Sequence, residues 1–234
     1  SGREKTYFVE NKSVAIDNLL HSGLVLFGDP LTKYVEDVAA KVKDLGGKAL
    51  AVETDVTDQK QVQNLVDVTV KEFGGLDIMI CGAGISGFVH RGTNSTEPLI
   101  IENVRVEDWD LTFAVNMKGV FLCNQAAAPV FRKQNAGKIV NISSVGGRRP
   151  NENLIAYAAS KAAVINFTQS MAVHMAPHHV NVNCVCPGII YTPMWKGGVE
   201  LFSNLNPDSL PEGTDPKVIL DSIVDSEIPF KKYQ

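Results

Sequence analysis

Short runs that are apolar on both faces alternate along the chain with longer stretches that repeat apolar residues every three or four positions. The apolar runs are LVLFG (24–28), KALAVETD (48–55), LDIMICG (76–82), GKIVNISS (137–144) and VNVNCVCPG (180–188). Between them, helical periodicity falls near 31–45, 58–73, 107–134 and 157–176. Strands without polar alternation, separated by amphipathic helices, predict a parallel sheet covered on both faces. The expected architecture is α/β: a Rossmann-like, doubly wound parallel sheet in one domain over 1–234. Such sheets take ligands at the carboxyl ends of their strands. Asp29, Asp55, Gly82 to Gly84, Ser144 and Pro187-Gly188 follow the strands and are where chemistry is expected.

With 234 residues, 44% of them hydrophobic, the chain can bury a sizeable core. A net charge of -4, without a block of like charges, gives no footprint for nucleic acid. No apolar run reaches the roughly 18 residues of a membrane span, and the start SGREKTYFVENK is unlike a secretory signal. A cytoplasmic protein with small-molecule partners and copies of itself is expected. Cys81, Cys123, Cys184 and Cys186 lack C-x-x-C spacing, so buried free thiols are expected rather than a metal or a disulfide frame. HMAPHH (174–179) offers three histidines, but Pro177 breaks the helical spacing a metal site would use, so a helix end is the better reading and no metal is expected.

AYAASKAAV (156–164) places Tyr157 and Lys161 four apart among good helix formers, on one helix face. A nearby ammonium favours a phenolate, so the pair is expected to lower the tyrosine pKa and move protons. The spacing alone also occurs in ordinary amphipathic helices. GAGISG (82–87) spells a dinucleotide fingerprint, with Glu102 twenty residues beyond its first glycine. The residues that follow carry turn formers and no apolar period, so a strand end with close ligand approach is the better assignment.

AYAASK stands thirteen residues after Ser144 in NISSVGG, and CGAG, TDVTD, FAVNMKGVF and CPGIIYTPM stand in order. In combination these resemble the classical short-chain dehydrogenase/reductase family from about residue 24 to 234. The resemblance implies an NAD(H)-dependent oxidoreductase interconverting a secondary alcohol and a ketone, with NADP the less favoured nucleotide. It implies Tyr157 as general acid/base, Lys161 as its partner and grip on the nicotinamide ribose, Ser144 as the hydroxyl holding the substrate oxygen, and Asn116 as the residue completing a water-linked relay. Ser143 caps or packs; the spacing to tyrosine favours Ser144.

The resemblance further implies Asp55 and Val56 at the adenine, Ala83 and Gly84 beside the adenosine ribose, and Pro187, Gly188, Ile190 and Thr192 at the nicotinamide carboxamide. Asp29, at the end of the second strand, would hold both ribose hydroxyls and repel a 2'-phosphate; an Asp-Pro helix start is its plainer role. Arg148 and Arg149 would face an anionic substrate or simply solvent. The segment 189–229, with Met194, Trp195 and Phe202, matches the substrate lid. A homodimer or homotetramer through the helices at 107–134 and 157–176 is expected.

Three departures stand out. KTYFV leads into ENKSVAIDNLLHSG with no glycine until Gly23, where the family has a glycine-rich pyrophosphate turn. CGAG replaces Asn-Asn-Ala-Gly, and the family's last helix and edge strand do not follow IPFKKYQ. An incompletely represented enzyme is favoured; the alternative is a pseudoenzyme of the same fold, serving as a scaffold or regulatory subunit without cofactor.

Overall fold

The computed structural model describes residues 39–40, 42–44, 47–87, 97–190, 199, 201, 215, 217–219 and 221. Asp29, Thr192, Met194, Trp195, Phe202, the run at 24–28 and the segment expected to carry the glycine turn lie outside these residues.

Three strands form a parallel sheet in the order β1 (Ile78–Cys81), β2 (Gly137–Ile142), β3 (Val180–Val185). The register sets Cys81 opposite Asn141, and Asn141 opposite Cys184. The run at 48–55 was expected to be a strand, but residues 47–55 make no ladder. An apolar run becomes a strand only beside a partner, and no described segment pairs with this one.

Helix α1 (Gln59–Phe73) starts where the Asp58 side chain accepts from the Lys60 and Gln61 amides, and ends where Gly74, at φ 80°, returns its amide to Val70 O. Val62, Leu65, Val66 and Thr69 form its buried stripe. The helix expected at 107–134 is interrupted: α2 (Val106–Phe113) passes through a π turn (Ala114–Lys118) into α3 (Gly119–Gln134). The wide turn inserts a residue that the 3.6-residue period does not foresee, and it carries Asn116 into the interior. Helix α4 (Ile155–Met175) begins two residues earlier than expected. Asn151 Oδ1, accepting from the Asn153 and Leu154 amides, fixes the turn that leads into it.

α3 packs on β1 and β2, and α4 packs on β3 and β2, around a core that includes Met79, Phe131, Ile139 and Val164, all at most 1% exposed. Gly137 opens β2 under the Phe131 ring, which leaves no space for a Cβ. Cys81 and Cys123 are buried as expected, whereas Cys184 and Cys186 are half-buried; all four are free thiols. Among the described residues no group of three or more potential ligands could hold a metal, and no helix is long and apolar enough to cross a membrane.

Candidate active site

At the carboxyl end of β2 the chain turns through Ser143 and Ser144 into a tight 3-10 turn (Val145–Gly147). Ser144 Oγ accepts from the Gly146 amide at 3.1 Å, which leaves its O–H on the Tyr157 side. Gly147 lies so close to α4 that an added Cβ would stand 2.7 Å from the Lys161 carbonyl carbon. The Ser143 hydroxyl donates to the same Lys161 carbonyl at 2.7 Å. These two contacts lock the serine turn onto the helix turn that carries Tyr157 and Lys161. Neither Gly147 nor the packing role of Ser143 follows from spacing alone.

On α4, Tyr157 and Lys161 share one face, with the Lys161 ammonium 5.7 Å from the centre of the Tyr157 ring. Lys161 is only 2% exposed and donates to Ile142 O at 2.9 Å. Burial drops its pKa from 10.5 to about 8, against an opposing pull from the Cys184 and Cys186 thiols. Of its three N–H groups, that carbonyl accounts for one. An amine so placed has hydrogens left for an incoming ligand.

The phenol goes the other way from expectation. Burial raises the Tyr157 pKa above its ordinary 10.0, and a hydrogen bond with Ser144 offsets this only in part. A charge count along the helix predicts a lowered value; desolvation, which depends on everything packed around the ring, dominates instead.

Asn116, fully buried, receives the Ile85 amide at 2.8 Å and donates to Ile85 O and to Ser160 Oγ, each at 3.0 Å. Ser160 donates in turn to the Tyr157 carbonyl at 2.7 Å. Sequence reasoning passed over Ser160, although its position just before Lys161 could have signalled it. Between Asn116 and Lys161 lies Gly84, where a Cβ would meet Lys161 Nζ at 3.2 Å and Asn116 Oδ1 at 3.3 Å. Residues 82–87 follow β1 without regular secondary structure, and Glu102 sits on a separate, exposed 3-10 turn (Ile101–Asn103).

The other expected positions lie along the same sheet edge. Val56 and Ala83 line a second small cavity, together with Gly119 and Val120. Asp55 is exposed and holds Thr57 through one carboxylate oxygen, Oδ1, which accepts from both the Thr57 amide and hydroxyl. Pro187 O accepts from the Val145 amide at 3.0 Å, tying the segment after β3 to the serine turn. Gly188 is half-buried and Ile190 is 39% exposed. Arg148 and Arg149 are exposed.

The family model of the short chain dehydrogenases matches residues 17–200. This chain belongs to the short-chain dehydrogenase family. It is 36% identical over 157 residues to the 3-oxoacyl-[acyl-carrier-protein] reductase of Synechocystis, covering 67% of this chain and 60% of that protein. It is 36% identical over 170 residues to the 3-oxoacyl-[acyl-carrier-protein] reductase of Thermotoga maritima, covering 73% and 65%. The chain therefore spans less than two thirds of the length of these two curated relatives. Among solved structures, NAD+-bound xylitol dehydrogenase superposes with a TM-score of 0.73 at 30% identity, over 86% of this chain and 73% of that one.

Proposed function

We propose that this short-chain dehydrogenase is a nicotinamide-dependent oxidoreductase that interconverts a secondary alcohol and a ketone, with Tyr157 as acid/base and NAD(H) preferred. The observation that carries this reading is the convergence of Ser144, Tyr157 and a buried, incompletely bonded Lys161 in one corner at the carboxyl end of β2. The donor set fits a nicotinamide nucleotide: the spare Lys161 N–H groups suit ribose hydroxyls, Gly84 leaves room for close approach, and Val56 and Ala83 border one cavity. When bound, the nicotinamide supplies or accepts the hydride.

The protein side is then assigned as follows. The Ser144 hydroxyl donates to the carbonyl oxygen, where negative charge develops. Tyr157, kept neutral by its raised pKa, gives its proton to that oxygen during reduction. In alcohol oxidation the same group must be ionised, so that direction accelerates as pH rises while reduction stays nearly flat through neutral pH. Lys161 anchors the nucleotide and its charge favours the transient phenolate. Asn116 has both ends of its amide occupied by protein, so it is assigned as a positioning residue that holds the Ile85 backbone against α4.

NAD(H) is favoured by the carboxylate of Asp29 and by likeness to an NAD+-bound dehydrogenase, whereas the two reductases leave NADP(H) as the competitor. A homodimer or homotetramer through α2, α3 and α4 is part of the proposal; Val106, Phe121 and Val173 expose 69%, 40% and 78% of their surface there.

The test is steady-state oxidation of NADH and NADPH with a panel of small ketones. Turnover is expected in the unaltered protein, and Tyr157→Phe should lower kcat by about a thousandfold with nucleotide affinity nearly unchanged. Near-normal turnover in that variant, or no turnover with any ketone, contradicts the assignment.

A further inference from the structure

A groove of at most about 400 Å³ opens beside Tyr157, between the end of the β1 segment and the start of α4. Its walls meet closely, because a Cβ on Gly87 would stand 4.0 Å from the Ala156 methyl. Leu154 and Ile155 supply an apolar side. The charged groups in the wall, Arg105 and Asp108, both have partners within the protein, Arg105 pairing with Glu97 at 3.7 Å. The Ser86 hydroxyl and the Asn153 amide also line the groove, and neither side chain makes a hydrogen bond among the described residues. The Asn153 backbone, by contrast, is pinned by Asn151, so its amide is presented from a fixed turn.

A polar group held ready but unbonded at a cleft is matched by a ligand that bonds it, and the neutral Ser86 hydroxyl and Asn153 amide suit a neutral oxygen. We infer that Ser86 and Asn153 hold a second, uncharged oxygen of the substrate, so that the site takes compact vicinal hydroxyketones and the corresponding diols. This rests on the oxidoreductase reading above. The reacting carbonyl carbon gains a hydride, the carbonyl π pair moves to oxygen, and that oxygen takes the Tyr157 proton. A reduced nicotinamide is oxidised and a diol leaves. The neighbouring hydroxyl is unchanged and stays on the Ser86 and Asn153 side, where a hydroxyl can both donate and accept.

The test compares kcat/KM for acetoin and butanone, which differ by that one hydroxyl, in the unaltered protein, in Asn153→Ala and in Ser86→Ala. The unaltered protein should prefer acetoin by about tenfold or more, and each variant should erode that preference by about tenfold. Circular dichroism and nucleotide affinity check that the variants fold. A preference below about threefold, or one that survives both substitutions, overturns the inference while leaving the activity in place. Faster reduction of ethyl acetoacetate than of acetoin overturns it in favour of a 3-oxoacyl class. Absence of turnover with every ketone overturns the underlying reading as well.

Discussion

Two polar layers lie one above the other between the same helices, and they are built differently. In the lower layer, Asn124 of α3 donates to Asn141 of β2 at 2.9 Å, and Asn141 donates to Thr168 of α4 at 3.0 Å. In the upper layer, Asn116 and Ser160 stand eight residues before Asn124 and Thr168 on the same helices, joined by Lys161 and, two residues beyond Asn141, by Ser143. The lower layer is nearly closed: Asn124 also donates to Val120 O, and the Thr168 hydroxyl donates to Val164 O. The upper layer ends in a lysine with donors to spare and a phenol held neutral. Paired helices and one strand thus make a brace where all but one polar atom is bonded, and a reactive corner where donors are left open.

If this contrast is right, the brace should carry stability and the corner activity. The largest effect is expected from Asn141→Ala, which takes one hydrogen-bond partner each from the Asn124 amide and the Thr168 hydroxyl in the core. A loss of about 2–3 kcal/mol in urea unfolding is predicted, with kcat of the surviving folded protein within about threefold. A loss below about 0.5 kcal/mol would show that the brace is not one.

Lys161→Met should do the reverse. Its folded pKa of about 8 lies below the unfolded 10.5, so between those values the unfolded chain holds more protons and stability climbs with pH. Below pH 8 the full desolvation cost persists. The variant should therefore gain about 1–2 kcal/mol at pH 7 while losing turnover, and the gain should shrink toward zero by pH 10.5. A variant that is destabilised equally at both ends of that window would refute the account of the corner.

The smallest effect concerns the gap in the brace. Asn124 Oδ1 is buried without a partner among the described residues, while Asn124 Nδ2 stands 3.4 Å from Cys81 Sγ. Sulfur is a weak acceptor for that N–H. Cys81→Asn places a carbonyl oxygen, a stronger acceptor, against Asn124 Nδ2, and a gain of about 0.5–1 kcal/mol in thermal unfolding is expected. Loss of stability instead would mean that the site has no room for the amide.

Much of this was legible in the chain itself. The runs at 76–82, 137–144 and 180–188 became the three parallel strands, because strands buried on both faces show continuous apolar character. The Tyr157–Lys161 spacing placed both groups on one face, because helical spacing is local geometry. What escaped was whatever depends on distant packing. Residues 48–55 look like a strand but make no ladder, the π turn at Asn116 breaks the helical count, and the phenol pKa moves up because burial outweighs the Ser144 hydrogen bond. Ser86 and Asn153 are unremarkable letters until the fold sets them on one groove.

The central claim is that the open corner receives a nicotinamide nucleotide on Lys161. Calorimetric titration with NADH and with NADPH tests it most directly, run on the unaltered protein and on Lys161→Met. The account predicts binding of at least one nucleotide to the unaltered protein, NADH the more tightly, and a clear loss of affinity in the variant. Heat-silent titration with both nucleotides, or equal affinity in the two proteins, would contradict it.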